Sequence, residues 1–231
     1  MKIAIGIYGH YKNFERCKES ILNLKNQYKA DIFISSYNTK SFSDDQYILD
    51  RSKEICIDNF RFLSPKKIVL EKSIDVEKEV NNKVISFKKI FKLTPVKEIL
   101  SRIISIRNRI KVLELINEEY DFIILIRPDT LFLKPIKLDF KKLNIVKLLN
   151  LFQDSIIAGP SFVIRELIYT IHDNFSIAVN RGSIITCPHK VLEHYSKKYN
   201  TNIIENAWVT LIPKDKDTVE SREKEFKTLS V

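Results

Sequence analysis

Apolar positions along this chain follow two rhythms, and their alternation predicts most of its elements. The opening segment KIAIGIYG is an Ile/Ala/Gly run that reads as a buried strand. The next, NFERCKESILNLKNQY, places Phe14, Cys17, Ile21 and Leu24 three or four residues apart, the stripe of an amphipathic helix, with Asn13 as its candidate cap. ADIFISSYN is a second strand, and KKIVLEK, after Pro65, a third. From Asp75 to Leu93 the pattern weakens into a Lys-rich, partly helical segment. Thr94 and Pro95 then open the longest helix, as cap and first helical residue. Its apolar stripe comprises Val96, Ile99, Leu100, Ile103, Ile104, Ile110, Leu113 and Ile116, and it ends near NEEYD.

A strand over Phe122–Ile126 comes next, then an apolar stretch IVKLLNLF and a strand SIIAGPS. Helices are expected through FVIRELIYTIHDNF and around HKVLEHYSKKY, and a last strand in NAWVTLI. Strand, helix, strand with short connections is the start of a parallel sheet covered by helices, so the fold class expected is α/β. No repeat or low-complexity block divides the 231 residues, and one domain over 1–213 with a frayed, charged tail over 214–231 is the simplest organisation.

Composition narrows the class. Hydrophobic residues make up 44% and charged residues 29%, as in a soluble globular protein. No apolar run approaches the roughly 20 residues of a membrane span. Cys17, Cys56 and Cys187 are an odd number and far apart, which suits a reducing compartment and leads to the expectation of a cytoplasmic protein. The formal charge is +10, and between Arg61 and Val112 fourteen Lys/Arg face five Asp/Glu, an excess of nine. Such a concentration draws nucleic acid, anionic lipid or a phosphorylated small molecule, or simply reflects Lys-rich usage. The lysines are mixed with Glu71, Glu77 and Glu79 and lack the interleaved aromatics of single-strand binders, so nucleic acid is not the expected partner.

Candidate chemistry sits at the ends of strands, where open α/β sheets bind ligands. The first strand ends in Gly9, His10, Tyr11 and Lys12: a glycine permits close backbone approach, and the following helix offers N–H groups to an anion. A simple tight turn explains the same residues. The second strand ends in Ser35, Ser36, Tyr37 and Asn38, polar groups that suit ribose or base contacts and suit solvent equally. In DFIILIRPDTLFLKP an apolar strand delivers Arg127 and Asp129 together, either to close a solvated turn or to meet a ligand. Arg102 and Arg109, seven apart, share a helix face that either meets an anion or is solvated. His172, His189 and His194 form no zinc-binding helical pair, and no Cys-x-x-Cys or Gly-rich phosphate motif is present, so zinc enzymes and nucleotide kinases are poorly supported.

Taken in order, the Gly-aromatic-basic turn, ADIFISSYN, the Ser/Arg-bearing long helix, YDFIILIRPDTLF and LFQDSIIAGPSFVI resemble bacterial and viral glycosyltransferases of the GT-A fold, in particular sugar transferases of polysaccharide and lipopolysaccharide gene clusters. The resemblance covers most of residues 1 to 200 but not Asp75 to Leu93. It implies a single Rossmann-like GT-A domain with a mostly parallel sheet. It also implies a UDP- or GDP-linked sugar donor, met by Gly9, His10, Tyr11, Lys12, Ser35, Tyr37, Arg102, Arg109 and Arg127, and a glycan or lipid-linked acceptor. An Asp-x-Asp motif in that family holds Mn²⁺ or Mg²⁺ against the donor diphosphate, and Asp129 stands at its last carboxylate. Arg127 replaces the first carboxylate, which puts metal dependence in question. Asp154 falls where inverting members keep the base that deprotonates the acceptor. The basic middle would steer the donor or hold the protein at an anionic membrane surface. Rival readings are a basic nucleic-acid-binding protein and a catalytically inactive module of the same fold.

Overall fold

The computed structural model describes residues 1–11, 13–39, 54–72, 75, 78, 96–117, 119–148, 151–180, 188–204 and 209–211, with side chains left out at 96–103, 147–148, 151–154, 174–180, 188–190 and 209–211. Lys12, Thr94, Pro95, Cys187, Trp208, nearly all of Asp75 to Leu93 and the tail from Lys214 therefore lie outside the described residues.

The elements are β1 (Ile3–Tyr8), α1 (Phe14–Tyr28), β2 (Asp31–Tyr37), a 3-10 segment (Ile57–Leu63), β3 (Lys67–Glu71), α2 (Val96–Leu115), β4 (Phe122–Ile126), β5 (Thr130–Phe132), β6 (Leu143–Leu148), β7 (Leu151–Pro160), α3 (Ser161–Asn180), α4 (Pro188–Ser196), β8 (Thr201–Ile204) and β9 (Val209–Leu211). Seven strands form one sheet in the order β3-β2-β1-β4-β7-β6-β8. β7 runs antiparallel to both β4 and β6, whereas the β1–β2, β1–β4, β2–β3 and β6–β8 pairs are parallel. The expected α/β class with a mostly parallel sheet holds, with one reversed strand inserted.

Period-2 alternation assigns each strand residue to one of two cores. Ile3, Ile5, Ile7, Ile32, Ile34, Phe122, Ile124 and Ile126 pack with Phe14, Cys17, Ile21 and Leu24 of α1 on one face. Ala4, Tyr8, Phe33, Tyr37, Ile123 and Leu125 pack on the other with α2, α3 and α4. Burial on both faces explains why these strands read as unbroken apolar runs. α2 packs over Gly6, where an added Cβ would come 3.1 Å from Val112 Cγ2 of the helix and 2.9 Å from Leu125 Cδ2 of β4.

Several expectations need correction. Asn13 occupies the cap position of α1, but its side chain makes no capping hydrogen bond; its carbonyl accepts from Arg16 N at 3.0 Å instead. The strand expected at SIIAGPS begins four residues earlier, at Leu151, because IVKLLNLF folds back as the β6–β7 hairpin. Within NAWVTLI, Val209–Leu211 pairs with β5 in a separate two-stranded sheet. β8, in TNII, carried too few apolar residues to register as a strand, yet it pairs in parallel with β6 at the edge of the sheet.

Candidate functional site

The sheet order reverses direction at β1. The chain moves outward through β2 and β3, then returns to lay β4 on the other side of β1. Such a reversal leaves a crevice beyond the carboxyl ends of the two central strands, because their outgoing loops diverge. Gly9 and His10 follow β1 at that reversal, and Arg127, Pro128 and Asp129 follow β4.

Gly9 has φ of +110°, a conformation closed to most side chains, and its N–H donates to Ser35 O at 3.1 Å. A Cβ there would stand 3.9 Å from both Asn108 Nδ2 and Pro128 Cδ, so this turn lies within van der Waals reach of α2 and of the β4 end. Ser36 Oγ donates to Gly9 O at 2.7 Å, which ties the turn to β2. The His10 ring packs on Tyr37 with centroids 4.4 Å apart.

Behind the turn α2 contributes a polar cluster. Tyr37 donates its hydroxyl to Asn108 Oδ1, both residues being buried, and burial raises the Tyr37 pKa well above that of an ordinary tyrosine. Arg109 is buried too, its Nε 3.2 Å from the Tyr8 hydroxyl and its guanidinium over the Tyr8 ring at 5.3 Å. Its neighbour Arg107 donates to both Glu71 carboxylate oxygens, at 2.6 and 2.8 Å. α2 is thereby fastened to the ends of β1, β2 and β3 through three consecutive residues.

Across the crevice, Arg127 and Asp129 form a fork: Nε to Oδ1 at 3.0 Å and Nη2 to Oδ2 at 2.7 Å. The carboxylate side chain is only 8% exposed and the arginine 28%. Thr130 N donates to Arg127 O at 3.2 Å and closes the turn around Pro128. β7 completes this side. Arg127 N donates to Ser155 O at 3.3 Å, continuing the Ile126–Ile156 register, so the Asp154 backbone follows beside the Arg127–Asp129 turn. The β6 register jumps from Ile145–Ile157 to Val146–Gln153, an irregularity that skips Asp154, Ser155 and Ile156 on the β6 side while Ile156 stays paired with β4. Irregularities of this kind re-aim side chains and recur beside functional sites. Asp154 is thus part of a strand rather than of a preceding loop.

Of the residues singled out by sequence, the structure brings Gly9, His10, Tyr37, Arg127, Asp129 and the Asp154 backbone to one crest. Tyr11 is elsewhere: its ring is buried between Phe14 and Phe60, and its hydroxyl donates to Glu15. Ser35 and Arg109 are buried, so neither is the solvent-facing group that one reading of the sequence allowed. Lys12 and the Arg102 side chain lie outside the described residues.

Asn108, Arg107 and Glu71 were missed. A signal for Asn108 exists: with Ile104 and Val112 it forms an i, i+4 row in which it is the single polar member, and Ile104 and Val112 are both buried.

No protein-family model matches the chain. Nor does any curated protein.

The Mn²⁺ or Mg²⁺ implied by the resemblance does not fit Asp129 as placed. Both of its oxygens accept from one guanidinium, so a cation on them would face a fixed positive charge. Among the described residues no group of three His, Cys, Asp or Glu side chains is arranged to hold a metal.

Proposed function

We propose that this crest binds a nucleoside-diphosphate sugar and transfers the sugar to a hydroxyl of a glycan or lipid-linked acceptor. One observation carries the reading: at the reversal of strand order, a positive-φ glycine turn faces an arginine-bearing strand end, and the backbone of Asp154 runs beside that end on β7. Each part has chemical work to do in group transfer. The Gly9–His10 turn lets a ligand approach the backbone, and the buried Tyr37 ring supports His10 from behind. Arg127 meets the negative charge that grows on the departing diphosphate.

Asp154 takes the proton from the acceptor hydroxyl. That oxygen attacks the anomeric carbon, and the bond to the diphosphate oxygen breaks, its electron pair leaving with the phosphate.

Release of nucleoside diphosphate from UDP- and GDP-sugars in the presence of glycan acceptors tests the reading directly. Asp154→Asn is expected to leave donor affinity unchanged by calorimetry while lowering transfer by roughly 10² to 10⁴. Donor binding with no release of product by the wild-type protein would identify an inactive module. Tighter binding of oligonucleotides than of any nucleotide sugar would identify a nucleic-acid-binding protein.

A further inference from the structure

The geometry points to Asp129 as a positioning residue, which holds the Arg127 guanidinium so that Arg127 meets the ligand's diphosphate with no divalent cation between them. The inference rests on the nucleoside-diphosphate reading of the crest and specifies how that site handles charge. In the Arg127–Asp129 fork, two parallel bonds engage both oxygens of one carboxylate, which fixes the plane of the guanidinium as well as its position. The partners are unequally buried: the acid is 8% exposed and the base 28%. A carboxylate that ligates a cation would be the member turned toward the crevice, and here the arginine is the more open one.

The backbone supports the same assignment. Pro128 fixes φ between the two residues, and the hydrogen bond from Thr130 N to Arg127 O closes the turn, so the fork is held from the main chain as well. A Cβ on Gly9 would stand 3.9 Å from Pro128 Cδ, which sets the Arg127 end of β4 next to a positive-φ glycine turn. An arginine presents a planar fork to phosphate and keeps its charge at every working pH, so it can do part of what a cation would do.

Calorimetry on the full chain with UDP, GDP and inorganic pyrophosphate, each in EDTA and in Mn²⁺, decides the matter. The dissociation constants are expected to agree within about twofold between the two conditions, and Arg127→Ala to raise them about tenfold or more in EDTA. Arg127→Lys should recover only part of the loss, because an ammonium cannot form the fork. Asp129→Asn should weaken binding in the wild-type background and add nothing in the Arg127→Ala background, since its effect passes through the arginine. A merely structural role for Asp129 would instead lower stability equally in both backgrounds without that dependence. Should Arg127→Ala not fold, Arg127→Gln gives the same comparison.

Tightening by Mn²⁺ of about tenfold or more that Asp129→Asn abolishes would make Asp129 a metal ligand and overturn the inference. Failure of all three anions to bind in EDTA would overturn it too. Arg127-dependent binding of pyrophosphate as tight as that of UDP and GDP would support the inference while removing the nucleoside from the proposed function.

Discussion

Tyr37 shows how much of the crest depends on single buried contacts. Its hydroxyl is spent on Asn108, and its ring supports His10. Tyr37→Phe keeps the ring and leaves Asn108 Oδ1 without that donor in a buried site, so urea unfolding should register a loss of about 1–3 kcal/mol. The same residue confers an alkaline signature. Burial raises its folded pKa above the unfolded value, so its contribution is complete below about pH 10 and is lost as pH rises through the folded pKa. Unfolding curves of the wild type should therefore show stability declining above about pH 10, and the Phe variant a flatter decline. None of this was legible in ADIFISSYN, where Tyr37 read as one of four polar strand-end residues. A hydroxyl at a strand end is equally suited to ligand, solvent or protein, and only the arrival of α2 decides among them.

At the scale of elements, α2 organises the molecule. It packs on β1 because Gly6 gives it room, and it seals the crest with Arg107, Asn108 and Arg109. Gly6→Ala would put a methyl carbon 2.9 Å from a fully buried Leu125 and 3.2 Å from Ile116 Cδ1, so α2 must shift or the core must repack. The expected cost is about 1–3 kcal/mol by denaturant titration.

Elements of this sort were largely readable from pattern: α1 by its stripe at Phe14, Cys17, Ile21 and Leu24, and β1, β2 and β4 by continuous apolar runs that only a sheet buried on both faces requires. What pattern could not supply was direction. IVKLLNLF and QDSIIAG look like one apolar region interrupted by polar residues, and nothing local says that the chain turns back there. The reversal of β7 arises from pairing with β4, more than twenty residues away, and with it comes the placement of Ser155 against Arg127 and of the Asp154 backbone next to it. The Arg127–Asp129 pair was legible as a pair but not as a closed fork, since sequence carries no side-chain geometry.

For the whole molecule, the two ends of the sheet have different chemistry. At the amino ends of the strands, Asp31 accepts from Tyr120 at 2.8 Å and pairs with Lys66 at 2.7 Å, joining the entries to β2, β3 and β4. Desolvation pushes the Asp31 pKa up, but the bonds from Lys66 and Tyr120 outweigh it and hold the carboxyl below its ordinary value. That contribution is present above the unfolded pKa and disappears as pH falls through the folded one, so acid unfolding below about pH 4 should be less steep in Asp31→Asn.

The charge excess between Arg61 and Val112 gives a second molecular-scale expectation. The protein should sediment with anionic vesicles at low salt and be released at high salt, with Lys88→Glu, Lys89→Glu and Lys92→Glu together weakening the association. Wild-type protein that ignores such vesicles at low salt would remove the membrane surface from its partners.

The parallel pairing of β1 with β4 has a consequence in time. The contact that opens that pair, Lys2 N to Asp121, joins residues 119 positions apart. On a ribosome adding roughly 5–20 residues per second, β1 waits on the order of 6 to 24 s for its central partner, with β2 alone beside it. During that interval one side of an Ile-rich strand offers unpaired N–H and C=O groups to any other nascent chain. Yield of soluble protein should therefore depend on translation speed and on chaperone supply more than the stability of the finished fold would suggest.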